Sequence, residues 1–312
     1  MKTALVTGGA GFIGSAIIRA LTADPEVGRV IVLDDFSTGK RANLTDLDGH
    51  VELCTVDIRD RDRLKPSFEG VDWVFHEAAV ASVSRSVEAP LECHAINVTG
   101  TLNVLSAARD AGVQRVVFAS SSAVYGNTQD LPTNEDAPGK PESPYAIHKL
   151  TGELYARSFF ASDGLETVSL RYFNVYGPRQ APDSQYSGVL AIFCKSVLTG
   201  TAPTIDGDGS QSRDFVFVDD VARANLLAAK SPQAPGQVFN IGRGEGTSVS
   251  DVWSTVQRLA ATNLAATEGP RRSGDVSYSL ADITRARAAL GFEPRIDIER
   301  GLEATLAWYR GH

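Results

Sequence analysis

The chain has 312 residues, 43% apolar and 22% charged, enough to bury one large core or two intercalated ones. A net charge of −8 excludes the basic surface that nucleic acid or an anionic membrane requires. No apolar run approaches the ~20 residues of a membrane helix. Cys54, Cys93 and Cys194 are scattered and lack CxxC spacing, so reduced, buried thiols in a cytoplasmic protein are expected. Glycines stand where a signal peptide would have its cleavage site.

Residues 3–7 form a short apolar run of the kind that makes a buried parallel strand. It runs into Gly8-Gly9-Ala10-Gly11-Phe12-Ile13-Gly14, and an amphipathic helix follows through Leu21. The glycines permit a tight turn and close approach of a pyrophosphate to the backbone, with the helix N-terminus offering free N–H groups. A second strand, 29–33, ends at Asp34, about 20 residues beyond the loop, where a dinucleotide site places its ribose carboxylate. Asp34 and Asp35 repel a 2′-phosphate, which favours NAD over NADP.

The alternation continues with a strand at 51–56, then Asp57 and Ile58, and a helix from Arg61. Asp57 could accept the adenine amino group or cap that helix. A strand at 71–75 opens into His76-Glu77-Ala78-Ala79-Val80-Ala81-Ser82, where small residues let a cofactor lie close to the backbone. The spacing predicts a helix over 91–111, with Ala95, Val98, Leu102, Leu105 and Ala108 on an apolar stripe. A strand at 116–119 ends in Ser120-Ser121-Ser122. Such a series of strand–helix units implies an α/β fold: a doubly wound parallel (Rossmann) sheet with its ligand at the C-terminal strand ends.

A helix is expected from Pro144 through Ala161, with Ile147, Leu150, Leu154 and Phe159 at helical spacing. Residues four apart share a helix face, so Tyr145 and Lys149 point into the same space. A free phenol titrates near pH ~10, and a neighbouring ammonium lowers that value toward the range of a general base. After a strand at 165–171 the alternation weakens, and shorter Gly/Pro-punctuated elements run to His312. His76 and His148 lack ligand-like spacing, so no metal is expected.

Together Gly8-x-x-Gly11-x-x-Gly14, Ser120-Ser121-Ser122-Ala123-Val124-Tyr125-Gly126, Tyr145-x-x-x-Lys149, Arg171-Tyr172-Phe173-Asn174-Val175-Tyr176-Gly177-Pro178-Arg179-Gln180, Arg213-Asp214-Phe215, Asn240-Ile241-Gly242 and Arg272-Ser273-Gly274-Asp275 carry a resemblance. Over nearly its whole length the chain resembles the extended short-chain dehydrogenase/reductase family, in the branch that modifies nucleotide-sugars. Within it the chain is most similar to UDP-glucose/UDP-N-acetylglucosamine 4-epimerases.

The resemblance implies an NAD-binding domain over 1–173, with 215–241 partly returning to it, and a smaller nucleotide-sugar lobe over 174–312. It implies tightly bound NAD against Gly8, Gly11, Phe12, Ile13, Gly14, Asp34, Asp57, Ile58, Ala78, Ala79, Val80, Tyr145, Lys149 and Phe173. Ser121, Tyr145 and Lys149 would carry catalysis. The UDP-sugar would meet Ala81, Ser82, Ser121, Ser122, Asn174, Gln180, Val189, Arg213, Arg272, Asp275 and Ser279. Ser279 is small where a bulky tyrosine closes the pocket to an N-acetyl group, and Ala81 and Ser82 would leave further room. Related dehydratases and decarboxylases carry a glutamate two residues before the loop tyrosine. This chain has Ala123 there, which leaves epimerisation or simple redox chemistry. A homodimer through the helices at 91–111 and 145–161 is also implied. A uronate epimerase, another nucleotide-sugar oxidoreductase and a non-catalytic dinucleotide sensor remain alternatives, and the sensor would be expected to lose Tyr145 or Lys149.

Overall fold

The computed structural model describes residues 1–47, 49–181, 188–270 and 278–311. The apolar run at the start is strand β1 (Lys2–Thr7), and the glycine turn leads into α1 (Phe12–Thr22). There follow β2 (Val27–Asp34), β3 (Glu52–Thr55), α2 (Arg61–Leu64) and β4 (Trp73–His76). After α3 (Val83–Glu88), α4 (Pro90–His94) and α5 (Thr101–Asp110) come β5 (Arg115–Ser121), α6 (Pro144–Asp163) and β6 (Glu166–Tyr172). The helix expected over 91–111 is present as continuous helical backbone, with a π-helical stretch, Ala95–Gly100, between α4 and α5. Thr101 and Asn97 turn inward from this stretch, and both are buried. Val98, Leu105 and Ala108 of the expected stripe are buried too, so that stripe faces the monomer's own core.

Beyond β6 the chain forms β7 (Asn174–Tyr176), α7 (Val189–Thr199), β8 (Thr204–Asp206), β9 (Ser212–Phe217), α8 (Val218–Lys230) and β10 (Val238–Ile241). The last elements are β11 (Gly246–Ser248), α9 (Val249–Ala260), β12 (Thr267–Gly269), β13 (Tyr278–Ser279), α10 (Thr284–Leu290) and α11 (Ile298–Gly311).

The main sheet has seven parallel strands in the order β10-β6-β5-β4-β1-β2-β3. The order reverses between β1 and β4, the crevice where such sheets hold ligands at their C-terminal ends. Both faces are covered, as a parallel sheet requires. α1 and α8 pack on one side, and α5 and α6 contribute to the other. β9 does not join this sheet but pairs with β7, β11 and β13 in a second one. Of the segment 215–241, α8 and β10 return to the main sheet, and α10 packs beside them. The apolar cluster under the second sheet is built from Tyr176, Phe193, Phe217, Trp253 and Leu302 and their neighbours.

Candidate active site

At the reversal lies a cavity of about 260 Å³, walled by the glycine turn, the end of β2 and the segment after β4. Gly8 adopts φ +67°, and a Cβ there would come within 2.7 Å of the Ala78 amide nitrogen, while one on Gly14 would meet the Gly8 carbonyl. Any side chain would therefore fill the cradle or push the turn off the sheet. Asp34 is buried on the wall, its two oxygens accepting from the amides of Ala10 (2.9 Å) and Phe36 (2.8 Å). Burial pushes its carboxyl up, against these hydrogen bonds. Phe12, Ile13, Asp57, Ile58, Ala78, Ala79, Val80 and Ala81 complete the lining, with Tyr145 and Lys149 at the far side.

Asp57 does not cap α2. Asp60 does, accepting from the Arg63 amide, and Asp57 instead pairs with Arg59 (2.6 Å), which holds its carboxyl below the usual range. The cause is spacing: Asp60 is the residue immediately before the helix.

α6 starts as its sequence dictates. Ser143 caps it by accepting from the Ala146 amide (3.2 Å), Pro144 takes the first position, and Ser86 of α3 accepts from the Tyr145 amide (3.0 Å). Gly152 lets the helix lie against β5, since a Cβ there would clash with the tip of the Phe118 ring. Lys149 is buried, its ammonium donating to the Ala119 carbonyl (2.6 Å) and lying over the Phe118 and Tyr145 rings. Burial lowers the Lys149 pKa, opposed by Glu77 and Glu153.

Tyr145 behaves differently from expectation. Burial pushes its phenol up to about 12, the Ser121 hydroxyl hydrogen-bonded to it works the other way, and Glu77 adds to the rise. The Lys149 ammonium lies 5.9 Å from the centre of the ring, and burial outweighs it, so the ammonium alone does not make this phenol acidic.

A second cavity, about 520 Å³, opens on the other side of Tyr145, which lines both, as does Tyr172. Ser121, Ser122, Ala123, Phe173, Asn174, Arg213 and Ser279 line it. Arg213 and Ser279 are brought together because β13 pairs with β9 in that register. Phe173 lines this cavity and not the first. Ala81 lines only the first cavity. Ser82 lines neither, because its hydroxyl caps α3 by accepting from the Arg85 amide (3.0 Å). The space expected there is lined instead by Val83, Val87 and Tyr278. Gln180 and Val189 also lie off both cavities: Gln180 donates to the Val175 carbonyl (3.3 Å), and Val189 packs on the second core. Arg272 and Asp275 lie outside the described residues.

Sequence reasoning missed Glu77, Tyr172, Ser86 and Asn97. Asn97 holds the segment after β4 through the Val80 amide (2.8 Å) and carbonyl (3.1 Å). A signal for Glu77 did exist, as a lone charge among small residues directly after a buried strand. His76 is buried and neutral between Thr7 and Thr101, its pKa lowered to about 3. Among the described residues no group of three His, Cys, Asp or Glu side chains could hold a metal ion, and no helix is long and apolar enough to cross a membrane.

A glycine cradle at a helix N-terminus and a buried acid at the end of β2 fit a dinucleotide, and the comparisons with known proteins agree. A family model described as "NAD dependent epimerase/dehydratase family" matches residues 4–242. The chain is 40% identical over 315 residues to the UDP-glucose 4-epimerase of Mycolicibacterium smegmatis, covering 99% of each. A solved UDP-N-acetylglucosamine 4-epimerase from Methanobrevibacter ruminantium, in complex with UDP-N-acetylmuramic acid, superposes with TM-score 0.95 at 38% identity, covering 99% of this chain and 98% of that one. The UDP-glucose 4-epimerase of Thermotoga maritima with UDP-glucose gives 0.94 at 39% identity, covering 99% of each. With its cradle, its buried acid and its Tyr145/Lys149 pair on the same scaffold, this chain belongs to the NAD dependent epimerase/dehydratase family.

Proposed function

We propose that the protein interconverts C4 epimers of UDP-sugars, both UDP-glucose with UDP-galactose and UDP-N-acetylglucosamine with its galacto epimer, by way of a 4-keto sugar. The observation that carries the reading is the position of Tyr145 in the wall common to both cavities, with Lys149 on the first and Ser121 on the second.

Gly8, Gly11, Gly14 and the α1 N-terminus would hold the pyrophosphate of NAD, and Asp34 its adenosine ribose. The chemistry that bound NAD supplies is the uptake and return of one hydride at C4. Tyr145 takes the proton of the C4 hydroxyl, with Ser121 sharing it, and returns a proton after the keto sugar has turned its other face. A phenol buried this deeply acts as a base only when positive charge is brought against it, a task for Lys149 together with the nicotinamide. Asn174 and Arg213 serve the sugar and diphosphate from the second cavity, where guanidinium forks suit phosphate oxygens. Arg272 and Asp275 are assigned to the same nucleotide by resemblance. Ser122 and Ala123 supply no carboxylate beside the C4 chemistry, which supports epimerisation over elimination.

The test is incubation with UDP-glucose, UDP-N-acetylglucosamine and UDP-glucuronate, with NMR of the products. C4 epimers of the first two are expected. Conversion of the glucuronate alone moves the assignment to uronates, and no epimer from any of the three overturns it.

We also propose a homodimer in the cytoplasm. Support comes from large apolar side chains left outward on α4 and α6: Leu91 is 86% exposed, Leu154 60% and Ile147 49%. The three unbridged cysteines suit a reducing compartment.

A further inference from the structure

Glu77 directly follows β4 and shares the wall of the first cavity with Tyr145, Lys149 and Tyr172. The Tyr172 hydroxyl donates to its Oε1 at 2.7 Å, and Asn225 Nδ2 of α8 donates to that hydroxyl at 2.8 Å. The titratable groups around it come from several elements. α6 brings Tyr145 and Lys149, with Glu153 acting on Lys149. β6 brings Tyr172, and β4 brings His76, kept neutral between two threonines. Glu153 is matched by Arg171 at 2.7 Å, whereas among the described residues Glu77 forms no ion pair. Its charge is therefore left to act on Lys149 and Tyr145. Burial pushes the Glu77 carboxyl up, opposed by the Tyr172 bond and by Lys149.

We propose that Glu77, anchored by Tyr172, is a positioning residue whose charge sets the proton balance of the site. As a carboxylate it keeps Lys149 an ammonium and Tyr145 a phenol, and on taking up a proton it releases Tyr145 to ionise. The proposal rests on the epimerase reading for its consequence in turnover, but not for its electrostatics. A negative neighbour favours a cation and disfavours an anion, so removing it lowers both pKa values.

Glu77→Gln keeps an acceptor for Tyr172 and removes the charge. Both limbs of the kcat/KM–pH profile should then move to lower pH, by about one unit. The second readout needs no substrate: NMR titration of protein labelled with carbon-13 lysine, with the Lys149 signal assigned by its loss in Lys149→Arg. Its midpoint should fall by about one unit in Glu77→Gln. Tyr172→Phe, which lets Glu77 hold its proton to higher pH, should lower the midpoint less, and should add nothing in the double variant. A merely structural Glu77 would lower thermal stability and leave midpoint and limbs in place, and that result overturns the proposal. A shifted midpoint in a protein that turns over no UDP-sugar supports it while sinking the epimerase reading. Turnover with an unmoved midpoint does the reverse.

Discussion

At the hydroxyl of Tyr145, burial and Glu77 oppose ionisation and Ser121 alone favours it. Tyr145→Phe removes that hydroxyl and leaves the ring against Lys149, so the fold and bound NAD should persist. Turnover should fall roughly 10²–10⁴-fold, the scale of one general acid–base group, read as kcat alongside cofactor content. Ser279→Tyr tests the neighbouring wall: a bulky ring opposite Arg213 should suppress the N-acetylated pair while sparing UDP-glucose, because overpacking penalises the larger substrate. Equal losses on both substrates would remove Ser279 from specificity. The residues legible in the sequence were those whose role follows from local spacing, such as Asp34 at a strand end and Tyr145 four before Lys149. Nothing in the sequence signals that the Ser82 hydroxyl caps α3 or that Phe173 lines the second cavity, since both depend on finer local geometry. Glu77 draws its importance from β6 and α6, which lie about 70 to 95 positions away in the chain, and no local window reports them.

α6 is the element on which the chemistry depends, and its contact with β5 is set by Gly152 over Phe118. Gly152→Ala should gain the ~1 kcal/mol of helix propensity and still lose stability, since overpacking costs about 1–3 kcal/mol. With Phe118 held in its buried place, the helix relieves the clash by moving off the strand that holds Lys149 through Ala119. A lower Tm together with reduced kcat is the expected outcome, and unchanged values would show that Phe118 turns aside freely. Helical periodicity found α6 without assigning its faces. Ile147 and Leu154 point outward, while His148, Lys149 and Glu153 are buried. The inward face mixes small and apolar Ala146, Gly152, Ala156 and Phe159 with the polar residues that build a site, so hydrophobicity alone does not mark it out. The π-helical stretch at Ala95–Gly100 was illegible for another reason: it differs by about one residue per turn, and the contacts of Asn97 and Thr101 there are with residues distant in the chain.

For the whole molecule, the outward leucines and isoleucine predict self-association. Light scattering at micromolar concentration should give a dimer, and Leu154→Glu should shift it toward monomer; monomer mass for the parent would reject the pairing. The parallel sheet itself was legible from alternating strand and helix signals, whereas the return of the chain to it was only hinted at. That return has a consequence during synthesis. β10 is the strand that completes the β6 edge, and α8 the helix that covers α1, yet both are made long after their partners. At ~5–20 residues per second, a growing chain that has just finished β6 waits several seconds for them. Through that interval residues 169–172 present unpaired backbone groups beside a bare apolar face, a template for pairing with any neighbouring strand. The nascent chain therefore carries an open β6 edge at mid-length, which closes only when β10 emerges.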